Sequence, residues 1–87
     1  MSSIVGKWKD VWRGELIYNF RSDGSYTYKD GRGPKVKGAY KTRGDELITK
    51  SKQMPHSVTR EFELISDNEL EITNPSSGVT GEYVRVK

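Results

Sequence analysis

Residues 15–29 read ELIYNFRSDGSYTYK, in which two short runs of alternating side chains stand on either side of the turn Asp23-Gly24. Alternation with a period of two is typical of a β-strand with one buried face, and Asp-Gly is a preferred hairpin turn. A link this short joins antiparallel neighbours, because a parallel crossover needs about a dozen residues or more. The segment therefore predicts a β-hairpin.

The same spacing continues in both directions, with turn residues between short alternating runs. It predicts eight strands, at residues 4–9, 15–20, 25–29, 35–41, 46–50, 57–65, 69–73 and 79–86. An even number of short strands linked in this way can close on itself and remove both exposed edges. We expect one domain over residues 1–87, an all-β antiparallel up-and-down meander that closes into a small barrel. A five-stranded oligonucleotide-binding barrel and a small sandwich are the alternatives.

Alternation also assigns the side chains that face the interior. They are Ile4, Trp8, Leu16, Tyr18, Phe20, Tyr26, Tyr28, Val36, Gly38, Tyr40, Leu47, Val58, Arg60, Phe62, Leu64, Leu70, Ile72, Val79, Tyr83 and Arg85. This set is polar, since it holds all five tyrosines. An unpaired buried hydroxyl costs about 1–3 kcal/mol, so these hydroxyls must either reach water at the barrel ends or line a cavity. The crowded inner set predicts that any cavity is small.

If the interior takes a ligand, the candidate binding residues are Tyr18, Tyr28, Tyr40, Arg60, Tyr83 and Trp12. The tyrosine rings would form apolar walls, and Arg60 would anchor a carboxylate or phosphate. The predicted function is non-catalytic binding of a small amphipathic or anionic ligand in or at the mouth of the barrel. A protein-docking module with a filled core is the alternative, and docking leaves almost no trace in a sequence.

Both ends of the chain carry a further pattern. The first predicted strand contains Gly6-Lys7-Trp8, and the last ends Tyr83-Val84-Arg85-Val86-Lys87. Together they resemble the lipocalin and calycin pattern, in which a Gly-x-Trp packs at the closed end of a barrel beneath an Arg from the last strand. Residues 20–28 and 38–40 are similar to compact bacterial lipocalin-like domains, many of them of unknown function.

The resemblance implies a lipocalin-like barrel whose first and last strands are neighbours. Trp8 and Arg85 would then form a structural cation–π contact. True lipocalins are longer and carry a lid after the first strand, so their carrier function transfers poorly to this chain. The nearest equivalent of a lid is residues 10–14, where we expect Trp12 to pack as a plug over the barrel end rather than to stand exposed as an anchor.

The sequence offers little for catalysis or metal binding. Cysteine is absent, and the only histidine, His56, lies in a turn that contains proline. The carboxylates are spread over turns and outward strand positions, without the spacing of a metal site or the pairing of an acid–base site. We expect a protein that is not an enzyme and that carries no cofactor or metal.

Charge is unevenly distributed, although the net charge is only +3. Residues 29–52 hold eight Lys or Arg against three acidic residues, whereas residues 60–87 hold three against six, so we expect a basic and an acidic flank. The basic flank offers a nucleic-acid surface as a further alternative, with Lys35, Lys37, Lys41 and Arg43 as its contacts. Outward aromatic side chains for base stacking are missing among these residues, which disfavours nucleic acid as a partner.

Nothing in the sequence indicates a membrane span. No window approaches the roughly 18 apolar residues that a spanning helix needs, and the first five residues lack the apolar stretch of a signal peptide. We expect a cytoplasmic protein whose partner is a small molecule or another protein. A secreted protein whose signal has been removed is the alternative.

Overall fold

The structure, a computed structural model, describes residues 3–12, 14–53 and 55–86. Eight antiparallel strands form a closed barrel in which each strand pairs with its sequence neighbours and the last pairs with the first. They are β1 (Gly6–Asp10), β2 (Leu16–Phe20), β3 (Ser25–Asp30), β4 (Val36–Arg43), β5 (Glu46–Ser51), β6 (Val58–Ser66), β7 (Glu69–Asn74) and β8 (Val79–Arg85). The predicted meander is confirmed, and the five-stranded barrel and the sandwich are excluded. Within the described ranges, no helix is long and apolar enough to cross a membrane.

β1 and β6 have features that affect the interior and the surface of the barrel and that the sequence analysis did not predict. β1 extends to Asp10, so this residue belongs to the barrel wall and not to a lid. β6 contains a register shift between Leu64 and Ser66 against β7. Such a bulge leaves an extra residue unpaired, and here that residue is Ile65, which is exposed.

The connections alternate between the two ends of the barrel, because consecutive strands run in opposite directions. The connections β1–β2, β3–β4, β5–β6 and β7–β8 lie at one end, which we call the open end. Loops 21–24, 44–45 and 67–68 lie at the other, which we call the closed end.

The closed end is sealed by one arginine and one tryptophan. The guanidinium carbon of Arg85 lies 4.3 Å from the ring centre of Trp8, which is completely buried. The Nε, Nη1 and Nη2 groups of Arg85 donate hydrogen bonds to the carbonyl oxygens of Asp67, Val5 and Ser3, at 2.7, 2.8 and 3.0 Å. Trp8 Nε1 donates to the carbonyl of Ile4 at 2.9 Å. The expected cation–π contact is confirmed, and its hydrogen bonds tie the N-terminal segment across the barrel end.

The core runs from this end through the middle of the barrel. Its buried residues are Ile4, Trp8, Leu16, Tyr18, Phe20, Tyr26, Leu47, Leu70, Ile72 and Tyr83. The prediction that Val79 faces the interior is wrong, because its side chain is 66% exposed. Val79 pairs with Asn74, the last residue of β7, so it lies on the rim of the open end where no further strand residue covers it.

Candidate functional site

A cavity of about 490 Å³, which we call the first cavity, lies at the open end of the barrel. Its apolar walls come from Tyr18, Tyr26, Tyr28, Val36 and Val58. Its polar groups come from Thr49, Ser51 and Arg60, and its rim from Pro34, Gln53 and His56. Small-molecule sites typically span about 300–1,000 Å³, so the first cavity has the size of such a site.

Arg60 brings a positive charge into this interior. It lies opposite Leu47 in the pairing of β6 with β5, and its side chain is half-buried. Within the described part of the chain its hydrogen bond is a long one, from Nη1 to Thr49 Oγ1 at 3.4 Å. A guanidinium has five N–H donors in a planar fork, so most of this donor capacity is left for water or a ligand.

Thr49 and Ser51 are polar lining residues that the sequence analysis missed. Both are buried and alternate with outward residues of β5, on the same face as Leu47. Because they lie two and four residues beyond Leu47, alternation along β5 predicts that they face inward with it. They add two hydroxyl groups to the wall on which Arg60 lies.

The aromatic part of the lining is a contiguous cluster. The ring centre of Tyr18 lies 4.8 Å from that of Tyr28 and 5.6 Å from that of Tyr83. Burial raises the pKa of the Tyr18 hydroxyl to about 12, although Arg60 opposes the change. Burial also raises the pKa of Tyr83, so both phenols are neutral at physiological pH. Among the described residues, every fully enclosed side-chain nitrogen or oxygen has a hydrogen-bond partner.

A second cavity, of about 470 Å³, lies beside the first at the open end. The two share Tyr18 and Arg60. The remaining lining of the second cavity comprises Asp10, Trp12, Leu16, Ile72, Asn74, Ser77, Val79, Thr80, Gly81 and Tyr83. The Tyr18–Arg60 pair therefore stands between a cavity on the β3–β6 side and a cavity on the β7–β8–β1 side.

Asp10 is the charged residue that the sequence analysis did not place in the interior. It is only 7% exposed, lies opposite Tyr83 in the pairing of β1 with β8, and lines the second cavity. One of its carboxylate oxygens accepts a hydrogen bond from the backbone N–H of Trp12 at 2.8 Å. Alternation along β1 could have predicted this position, because Asp10 is two residues beyond Trp8 and so shares its inward face.

The expectation that Trp12 plugs the barrel end is wrong. Its side chain is 78% exposed, at the rim of the second cavity. The backbone around it is held to the barrel wall by the N–H of Trp12 on Asp10 and by the N–H of Val11 on the Glu82 carbonyl, at 2.8 Å each. The indole lies at the rim of the second cavity, which Tyr18 and Tyr83 also line, and does not fill it.

The structure brings five of the six predicted ligand-binding residues to the open end. Tyr18, Tyr28, Arg60, Tyr83 and Trp12 line one or both cavities. Tyr40 lies instead toward the closed end, where its hydroxyl donates to the carbonyl of Arg21 at 2.7 Å and its ring packs 4.9 Å from Phe20. The reason is its position in β4, four residues beyond Val36 in the direction of the closed end.

The predicted basic surface is present on the outside of the barrel. Lys35, Lys37, Lys41 and Arg43 are all exposed, on β4 and the residue before it. Trp12 is the exposed aromatic side chain of the described residues, and it belongs to the β1–β2 loop rather than to this surface. The surface can contact phosphates but offers no ring for base stacking.

Metal-ligating side chains do not converge in the described ranges, where no group of three His, Cys, Asp or Glu residues could hold an ion. His56 is exposed at the rim of the first cavity. The chain matches no protein-family model, no curated protein and no solved structure. The geometry of the open end is therefore the basis for assigning a function.

Proposed function

We propose that the protein is a non-catalytic binding module that takes a small amphipathic anion into the first cavity, with Arg60 as its anchor. The observation that carries the proposal is the half-buried Arg60 guanidinium in a cavity walled by tyrosines, where its hydrogen bond within the described residues is a long one, to Thr49 Oγ1 at 3.4 Å. A charge in such a wall is costly unless water or a ligand completes its hydrogen bonds.

The chemistry of the lining supports a carboxylate or phosphate ester with an apolar tail. The planar fork of Arg60 fits either group in a bidentate geometry, and Thr49 and Ser51 can donate to the remaining anion oxygens. Tyr18, Tyr28 and Val36 offer an apolar wall for the tail. The volume limits the ligand to a compact molecule.

We also infer that the barrel is lipocalin-like. The support is the contact of Trp8 with Arg85 at the closed end of an eight-stranded antiparallel meander, together with an opening at the other end. A small-ligand site at the open end agrees with this architecture.

Calorimetric titration with alkanoates of increasing chain length, and with phenylpropionate, tests the proposal. The decisive variant is Arg60→Met, which keeps much of the side-chain volume and removes the charge. We expect it to weaken binding about ten- to hundredfold, the effect of losing hydrogen bonds to a charged group. Arg60→Lys keeps the charge but lacks the planar guanidinium, so its affinity should lie between those of the wild type and Arg60→Met.

Arg43→Met is the matched control, since Arg43 is exposed and lies outside both cavities. It should bind the probes as the wild type does. Equal affinity of wild type and Arg60→Met for every probe would contradict the proposal. Native mass spectrometry is a second, independent test. The protein isolated from its own source should carry a small molecule at fixed stoichiometry, and a protein without any bound molecule would contradict the proposal.

Docking of a protein partner is the second candidate, favoured by a groove of about 600 Å³ on the outside of the barrel. Its exposed apolar residues are Val11, Ile65 and Val84, and the bulge in β6 leaves Ile65 unpaired. Glu69, Glu71 and Glu82 also line it. An apolar floor edged by carboxylates fits a basic amphipathic segment of a partner protein.

Crosslinking in the source cells tests this second candidate. The double variant Ile65→Ser with Val84→Ser should lose a stoichiometric partner that the wild type retains at low salt. Val5→Ser alters an exposed valine that does not line the groove and should retain it. Identical crosslinked products from all three proteins would contradict docking at this groove.

A further inference from the structure

The two cavities at the open end share one wall and differ in charge. Arg60 and Tyr18 line both of them, and the second cavity adds the carboxylate of Asp10. A molecule long enough to reach from one cavity to the other would therefore lie beside Arg60 and near Asp10. This arrangement bears on the class of ligand that the site takes.

Asp10 lies in an aromatic environment. Trp12, Tyr18 and Tyr83 line the same cavity, with Tyr18 and Tyr83 in an edge contact at 5.6 Å between ring centres. Aromatic faces attract cations, and quaternary or protonated amines are the ligands that such rings with a nearby carboxylate commonly hold. The exposed Trp12 ring stands at the mouth, where it can cover a bound group.

We propose that the ligand is a zwitterion, whose carboxylate binds Arg60 and whose ammonium or trimethylammonium group lies in the second cavity among Asp10, Trp12 and Tyr83. This inference rests on the proposed function, since it assigns the anionic end to the Arg60 site. Amino acids with the amine at the far end of an alkyl chain, and betaines of similar length, have this chemistry.

Electrostatics favours a zwitterion over a simple anion. Among the described residues, the two cavities are lined by one positive side chain, Arg60, and one negative side chain, Asp10, so an anion alone leaves this lining with a net negative charge. A zwitterion presents a positive end to Asp10 and a negative end to Arg60 and leaves the net charge of the interior unchanged. Arg60 and Asp10 then both contribute to affinity.

Matched probe series test the inference: ω-aminoalkanoates of increasing chain length, their N-trimethyl forms, the alkanoates of equal length and the corresponding alkylammonium ions. Calorimetry gives affinities, and the solvent-sensitive fluorescence signal is that of Trp12, because its side chain is 78% exposed at the rim of the second cavity whereas Trp8 is completely buried. The ω-amino acid or betaine of best length should bind about tenfold or more tightly than its alkanoate, the scale of one cation–π or charge-assisted contact. Its binding should also move the Trp12 emission to the blue.

Asp10→Asn is the decisive variant, since the amide oxygen can still accept the N–H of Trp12. It should bring the affinity for the ω-amino acid down to that for the alkanoate, while alkanoate binding stays the same or improves. Should this variant fail to fold, Trp12→Ala replaces it, because Trp12 is exposed, and it should reduce the zwitterion advantage by several fold. Val5→Ala is the control and should change neither affinity.

The outcomes separate the inference from the proposed function. Equal affinity of the wild type for alkanoate and ω-amino acid at every length, with both still dependent on Arg60, would overturn the zwitterion and leave the anion site standing. A zwitterion advantage that survives both Asp10→Asn and Trp12→Ala would also overturn it. Absence of binding by every probe would overturn the proposed function and this inference together.

Discussion

The Nη1 atom of Arg85 occupies the space into which a Cβ on Gly6 would project. Gly6 has a φ of +135°, a conformation that side-chain-bearing residues rarely adopt. The same Nη1 group donates to the carbonyl of Val5, and the guanidinium lies over Trp8. Gly6, Trp8 and Arg85 are therefore one structural unit, which gives a physical reason for the spacing Gly-x-Trp.

Replacing Gly6 with alanine should destabilise the barrel by about 2–4 kcal/mol, because the new methyl group displaces Arg85 while the backbone stays in a strained conformation. Chemical denaturation monitored by Trp8 fluorescence measures the change. Gly14→Ala is the control, since its Cβ would meet nothing closer than 3.8 Å. A loss below about 0.5 kcal/mol for Gly6→Ala, within the range of ordinary surface changes, would contradict the proposed unit.

Replacing Arg85 with methionine removes three hydrogen bonds to backbone carbonyls and the contact with Trp8. We expect a loss of about 2–4 kcal/mol in the free energy of unfolding. The loss is smaller than the sum of these contacts because some of the carbonyls form hydrogen bonds to water instead. Arg85→Lys should lose less. Amide hydrogen exchange should show faster opening of β1 in the methionine variant, and unchanged exchange there would show that Arg85 does not tie this strand.

The tyrosine cluster predicts a loss of stability at high pH. The pKa of Tyr18 is raised by burial from 10.0 in an exposed tyrosine to about 12, so the folded state holds this proton more tightly than the unfolded state. The stabilisation is complete below pH 10 and is lost as the pH rises from 10 toward 12. Because a tenfold change in proton affinity corresponds to about 1.4 kcal/mol, the loss from Tyr18 amounts to about 2–3 kcal/mol.

Denaturation at a series of pH values between neutrality and pH 12 measures this loss, and absorbance of tyrosinate reports the ionisation itself. Tyr18→Phe should have a flatter dependence of stability on pH than the wild type over the same window. Identical slopes for the two proteins above pH 10 would show that Tyr18 does not titrate as its burial requires.

Three glutamates form an outward row across the acidic flank. Glu71 on β7 lies opposite Glu63 on β6 and opposite Glu82 on β8. Like charges directly opposite one another in a sheet destabilise it by about 0.2–1 kcal/mol per pair. We expect Glu71→Lys to raise the free energy of unfolding by about 1 kcal/mol at low salt. The difference from the wild type should decrease at high salt, because salt screens the interactions between the charged side chains in both proteins.

Glu69→Lys provides the comparison for this charge reversal, because Glu69 lies opposite Ser66 and Val84 rather than a glutamate. It should change stability less than Glu71→Lys does. Equal effects from the two reversals would mean that overall charge, not the cross-strand row, determines the result.

Strand positions were predictable because they depend on local signals. Alternation over five or six residues defined the inner face of β2 and β3, and Asp23-Gly24 marked the hairpin between them. The predicted Trp8–Arg85 contact is also present, since closure of an even meander makes the first and last strands neighbours. Asp10, Thr49 and Ser51 follow the same alternation, and Asp10 and Ser51 were missed because the predicted strands ended one residue too early, at residues 9 and 50.

The candidate site was predictable only in part. Alternation tells which face a side chain occupies and not how far along the barrel it lies, so Tyr40 was grouped with Tyr18 although it lies toward the closed end. Loop side chains follow no period at all. The exposure of Trp12 depends on backbone hydrogen bonds to Asp10 and Glu82, which join residues from β1 and β8.

By itself, the sequence determined the number and order of the strands, their antiparallel pairing and the inward face of most of them, because period-two patterning and turn chemistry act within a few residues. Only the tertiary structure decided where the interior is filled and where it is hollow. Packing volume and charge placement depend on residues that closure brings together from distant strands. Two cavities that share Arg60 and Tyr18, with Asp10 on one side, are a consequence of that closure.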